Sequence, residues 1–163
     1  MSLTYDKKAE AQKLAEGSLR ELRDRTSALA AQLSPEMRKE WDNACLFWSS
    51  MKDNEEICKY MLENGADPNW ISWDGMTSLH YAAASGRTSI LKLLLSSSCI
   101  RVEAEDDWGF TSLCYAASRG KEECVRELLG AGASREHRTK SGESPYDLAS
   151  KGGFDDVATA LKV

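Results

Sequence analysis

Two histidines, five cysteines and one acidic run are the residues of this chain whose types and spacing could carry chemistry. His80 lies three residues after Thr77 at an expected helix start, which makes it the first candidate for a general base. His137 has no Cys or His at metal-ligand spacing and no serine set for a catalytic triad. Cys45, Cys58, Cys99, Cys114 and Cys124 form an odd set without CxxC spacing, which suits a reducing cytoplasm or nucleus. Cys58 and Cys124 fall on apolar helix stripes, where thiols serve as small apolar fillers, whereas Cys99 is expected to be exposed. The run Glu103, Glu105, Asp106 and Asp107 lacks the twelve-residue calcium loop with glycine at its sixth place, and reads as a solvated tip. No Gly-rich phosphate loop or catalytic carboxylate pair is present. The chain therefore reads as non-enzymatic, with no catalytic residue, cofactor or metal.

The elements that must position these residues repeat. Thr77-Ser78-Leu79-His80-Tyr81-Ala82-Ala83 recurs as Thr111-Ser112-Leu113-Cys114-Tyr115-Ala116-Ala117 and, more weakly, as Ser144-Pro145-Tyr146-Asp147-Leu148-Ala149-Ser150, at offsets of 34 and 33. A degenerate copy surrounds Leu46, 33 residues before Leu79, which makes four units. A second register agrees: Ile57/Cys58/Met61/Leu62, Ile90/Leu91/Leu94/Leu95, Cys124/Val125/Leu128/Leu129 and Val157/Ala158/Leu161 each place one apolar stripe on a helix. Gly86, Gly120 and Gly153 follow the first helix of their units, where a left-handed residue closes a helix. Each unit thus reads as helix, turn, helix.

These residues resemble the ankyrin repeat, whose consensus D-x-x-G-x-T-P-L-H-x-A-A ends in a leucine-rich helix followed by G-A-D. Asp74-Gly75-Met76-Thr77-Ser78-Leu79-His80 and Gly65-Ala66-Asp67 carry the resemblance, with Gly132-Ala133-Ser134 as a partial copy. The implied fold is all-α, a solenoid of helix-turn-helix units with short β-hairpin-like fingers; ahead of it the residues themselves read as a long N-terminal amphipathic helix. The expected domains are residues 1–36 for that helix and 37–163 for the repeats, cut at about 37–70, 71–104, 105–137 and 138–163. Residues 96–100 replace the usual Gly-Ala turn and carry one extra residue, so an irregular joint is expected there. The resemblance also implies that Thr77 and His80 tie a helix start to the neighbouring loop, which makes His80 scaffold.

Residues 5–33 hold no proline and are rich in helix formers, so one long helix is expected. Ala15, Leu19, Leu22, Thr26, Leu29 and Leu33 step by 4, 3, 4, 3 and 4, the spacing of a short heptad seam. The seam either folds back over the apolar first unit, which carries Trp41, Phe47, Trp48 and Met51, or joins a second copy through residues 15–33. The cap is favoured, and with it a monomer.

A net charge of −5 argues against a nucleic-acid partner, and no apolar stretch reaches the roughly 18 to 20 residues of a membrane helix. The expected partner is a protein. In the resembled family such partners sit on the fingers and the inner helix face, which points to Ile71, Trp73, Asp74, Met76, Glu105, Asp107, Trp108, Phe110, Arg119, Arg138 and Lys140. Trp and Arg on exposed positions are the side chains that most often dominate interfaces. Trp73 and Trp108 could instead pack on each other across adjacent fingers. The function expected is an adaptor or scaffold. The alternatives are a homodimeric structural element joined by the heptads, or a regulatory or targeting domain of a larger multidomain protein.

Overall fold

The computed structural model describes residues 5–30 and 32–162, which fold into ten helices with no strand among them. The chain divides into two compact units, Met1–Trp70 and Ile71–Val163.

In the first unit, α1 (Tyr5–Glu16) packs along α3 (Pro35–Met51), and α2 (Leu19–Ala30) packs on α1 and on α4 (Glu55–Glu63). The single long helix expected over residues 5–33 is thus two helices. The break has a local cause. Ser18 Oγ accepts from Glu21 N (3.3 Å) while Glu21 Oε2 accepts from Ser18 N (3.2 Å), a reciprocal capping box that starts a new helix directly after Gly17. Pro35 opens α3 behind the N-cap Ser34, whose Oγ accepts from Met37 N (3.3 Å).

Asn54 joins these pieces. Its Oδ1 accepts from Ile57 N (3.2 Å) at the start of α4, and its Nδ2 donates to the carbonyls of Ala15 (3.3 Å) and Gly17 (3.0 Å) at the end of α1. Lys52 pairs with Glu16 at 2.8 Å, and the Arg23 guanidinium stands 4.8 Å above the Tyr60 ring. The core is made of Ala11, Ala15, Leu22, Trp41, Leu46, Phe47, Ile57 and Met61, so the seam residues Ala15, Leu22 and Thr26 are buried within the unit. Phe47 meets Trp48 and Trp70 edge to face, each at 5.5 Å.

In the second unit three hairpins follow one another: α5 (Ser78–Ser85) with α6 (Thr88–Leu95), α7 (Ser112–Ser118) with α8 (Glu122–Gly130), and α9 (Pro145–Lys151) with α10 (Asp155–Leu161). Helices α5, α7 and α9 form one row and α6, α8 and α10 the other. Small residues (Ala82, Ala83, Ala116, Ala117, Ala149) let the first row approach closely, while Ile90, Leu91, Leu94, Val125, Leu128, Val157 and Leu161 fill the space under the second. Such a hairpin cannot bury its apolar faces alone and is completed by its neighbours.

The turn after each first helix is left-handed at Gly86, Gly120 and Gly153. The matching place in the first unit is Asp53, the one non-glycine residue with positive φ (62°) among those described.

Candidate partner-binding face

Ahead of α5, α7 and α9 the chain forms a tight hairpin, here called a finger. Each closes through the same backbone bond: Ser72 N to Met76 O (2.9 Å), Asp106 N to Phe110 O (3.0 Å) and Thr139 N to Glu143 O (3.0 Å). The donor residue lies five positions before the N-cap in every case, and its side chain is buried and polar. Ser72 Oγ donates within its finger to Met76 O (3.0 Å) and to Asp74. Thr139 Oγ1 accepts from Glu143 N (3.2 Å).

Asp106 is the strongest of the three. Its Oδ1 accepts from Trp108 N and Phe110 N, both at 2.9 Å, and its Oδ2 accepts from the Tyr115 hydroxyl at 2.6 Å. At 5% exposure it belongs to the interior of the finger, which corrects the reading of residues 103–107 as a uniformly solvated acidic tip. The signal available in the sequence was its slot, five before Thr111, shared with Ser72 and Thr139. Burial and the hydrogen bond to Asp106 together raise the Tyr115 hydroxyl well above its ordinary range.

His80 ties one repeat to the next. Thr77 N donates to Nδ1 (3.0 Å), so Nδ1 is the acceptor and Nε2 carries the proton that it donates to Phe110 O (3.1 Å). Burial lowers the His80 pKa and keeps the ring neutral. Cys114, in the corresponding place of the next repeat, is buried with Thr111 Oγ1 at 3.5 Å. His137 makes the equivalent reach by another route, with Nε2 at 2.8 Å from Gly109 O.

Backbone contacts run from finger to finger. Lys140 N donates to Trp108 O (3.1 Å), and Asp107 N faces Asp74 O at 3.5 Å. Gly75 has a φ of 75°, and a Cβ there would stand 2.9 Å from Asp107 N, so only glycine lets the two tips approach this closely.

On this frame Ile71, Trp73 and Trp108 stand out as exposed large apolar side chains, at 59%, 78% and 56%. Asp107 is exposed beside Gly75, and Lys140 Nζ donates to Asp107 O at 2.7 Å. Glu105 is exposed, 4.0 Å from His137. Other residues expected on this surface have different placements. Met76 is 7% exposed and turned inward, on the other arm of the tight turn from Trp73; it is not a surface anchor. Phe110 is half-buried against Tyr115 at 5.2 Å, and Asp74 is half-buried with the Tyr81 hydroxyl donating to it at 3.3 Å. Arg119 caps the end of α7, the first helix of its repeat, and Arg138 Nη1 closes its own finger on Gly142 O at 2.9 Å, 3.6 Å from Asp147. Among the described residues no group of His, Cys, Asp or Glu is arranged to hold a metal, and no helix is long and apolar enough to cross a membrane.

The profile for ankyrin repeats in three copies matches residues 21–106, more than half of the chain, and that for ankyrin repeats in many copies matches residues 97–149. The chain belongs to the ankyrin-repeat family. Ankyrin repeats serve in general as protein–protein interaction modules. Among relatives, Drosophila melanogaster tyrosine-protein kinase Shark is 36% identical over 116 residues, covering 71% of this chain. Mouse protein fem-1 homolog A-like is 48% identical over 54 residues, covering 33% of this chain. The chain spans only 12% of the kinase and 8% of the fem-1 homologue, so its ankyrin repeats correspond to a small part of either protein.

Proposed function

We propose that the chain is a non-catalytic adaptor or scaffold that engages a protein partner with the finger tips of its second and third repeats. The observation that carries this reading is the exposure of Ile71, Trp73 and Trp108 on fingers whose backbones touch. Indoles gain most by desolvation in an interface, and such side chains clustered on a rigid frame are the usual energetic centre of one. Glu105, Asp107 and Lys140 rim this centre, with Asp74, Phe110, Arg119 and Arg138 at its edges. Neither a nucleic acid nor a membrane is the partner, since the chain carries an excess of acidic groups. A cytoplasmic setting suits an odd set of five cysteines, four of which are buried in the core.

The test is photocrosslinking in cells from a benzophenone side chain at position 73 or at position 126, an exposed site on the outer row. A discrete protein adduct from 73 and not from 126, abolished by Trp108→Ala, supports the reading. Equal adducts from both positions, or none from 73, overturn it.

In the same reading α1 and α2 are a cap on the first repeat, residues 37–70, because Ala15, Leu22 and Thr26 spend their apolar surface inside the unit. Half of the seam is thus used inside the unit, while Leu19 and Leu33 are half-buried and the Leu29 side chain lies outside the described residues; the reading is a monomer. Removing residues 1–33 then exposes Trp41 and Phe47 and causes aggregation; a fragment that stays soluble and equally stable contradicts the cap. The match to a segment of a kinase favours one second reading, that the repeats are a regulatory or targeting module of a larger protein. A transcript that continues the reading frame into another domain would establish it.

A further inference from the structure

We infer that the partner segment received by these finger tips is an extended stretch bearing arginine, an inference that rests on the docking face proposed above. Residues 71–77 and 105–111, the matching stretches of the two fingers, contain four carboxylates and no lysine or arginine. Asp106 is consumed by its three donors, but Glu105 and Asp107 are exposed and Asp74 is half-buried. Lys140 Nζ, held on the backbone carbonyl of Asp107, offsets one of these charges, and Arg138 is turned to Gly142 O and Asp147 within its own finger, so the two tips keep an acidic excess. Asp107 lies against Gly75, next in sequence to Trp108 and across the finger contact from Trp73. An exposed carboxylate of one indole-bearing tip therefore lies at its contact with the other.

Exposed indoles on two adjoining tips, with an exposed carboxylate where the tips meet, offer the chemistry that a guanidinium uses. Its plane stacks on an aromatic face while its N–H fork donates to a carboxylate. A purely apolar partner would desolvate Glu105, Asp107 and Asp74 with Lys140 alone to balance them, and an acidic one would meet like charge; both lose affinity. Lysine offers a point charge in place of the planar fork and fits less well.

The experiment measures anisotropy of short labelled peptides that share the same apolar residues and carry arginine, lysine, glutamate or serine at the alternate positions. The full chain is titrated at about 0.1 M and about 1 M salt, where the Debye length falls from about 10 to about 3 Å. The expected result is binding of the arginine peptide at least about tenfold tighter than the serine or glutamate peptide, weakened by salt. Trp73→Ala and Trp108→Ala each reduce it about tenfold or more, and Asp107→Asn reduces it severalfold, with thermal unfolding unchanged as the fold control. If the serine peptide binds as tightly and still depends on Trp108, the docking face stands and its preference for arginine is overturned. If arginine-peptide binding is indifferent to both tryptophans, the docking face falls as well. No measurable binding of any peptide overturns the inference, while adducts from position 73 would still uphold the face itself.

Discussion

Replacing Asp106 by alanine removes a carboxylate that accepts two backbone N–H groups and one phenolic hydroxyl inside a closed finger. A hydrogen bond to a charged group is worth about 1.5–3 kcal/mol, and a buried donor left unpaired costs about 1–3 kcal/mol. The three bonds share one acceptor group and are not additive, so the expected cost is about 3 kcal/mol. Asp106→Asn keeps an oxygen for the backbone donors and presents an amide to the Tyr115 oxygen, so it should cost only about 1 kcal/mol. Equilibrium urea unfolding reads both. With a slope of about 2 kcal/mol per molar, the midpoint should fall by about 1.5 M for alanine and about 0.5 M for asparagine. Tyr115→Phe should cost about 1 kcal/mol in the parent chain and less in the Asp106→Ala background, because its partner is then already gone. A loss below about 0.5 kcal/mol for Asp106→Ala is what a solvated surface acid would give, and it would refute the anchoring role and with it the rigidity of the finger that carries Trp108.

Three further predictions concern the scaffold. Asp53 holds the left-handed conformation that glycine holds in the other repeats, at a cost of about 1–2 kcal/mol, partly offset by the greater chain entropy of unfolded glycine. Asp53→Ala and Asp53→Gly both remove the carboxylate and differ only in how they tolerate this backbone, so the alanine variant should be about 1 kcal/mol less stable than the glycine variant in thermal or urea unfolding. Asn54→Ala removes an N-cap and two bonds to the end of α1 and should cost about 2 kcal/mol, with faster amide exchange in α1 as its local signature. His80 is kept neutral by burial, so its folded pKa lies below the unfolded one and the unfolded chain binds the extra proton. Stability due to it is complete above about pH 6.5 and falls on acidification by at most about 1.4 kcal/mol per pH unit; His80→Gln should flatten that part of the pH profile.

The repeat architecture was legible because it rests on identities that recur at a fixed spacing: Thr77, Thr111 and Ser144 cap helices, and the Leu and Ala stripes behind them face the core. The break in the front helix was also written locally, in Ser18 and Glu21 after Gly17, but a heptad seam running through it favoured continuity. The interior of the fingers was harder to read. Asp106 and Asp107 are neighbours of one residue type, and only the hairpin closure separates the buried anchor from the exposed acid. Met76 and Trp73 likewise differ by which side of a tight turn they occupy, which hydrophobicity alone does not encode. The exposed indoles were identifiable because the ankyrin resemblance already assigned finger positions to surface.

The affinity of the protein trapped by crosslinking from position 73 is the most direct test of the finger tips. Isothermal titration of that partner with the full chain and with a Trp73→Ala, Trp108→Ala variant of unchanged thermal stability should show about a hundredfold loss, the effect of two interface anchors. Affinities within about threefold of each other would contradict the claim that these finger tips are where the protein works.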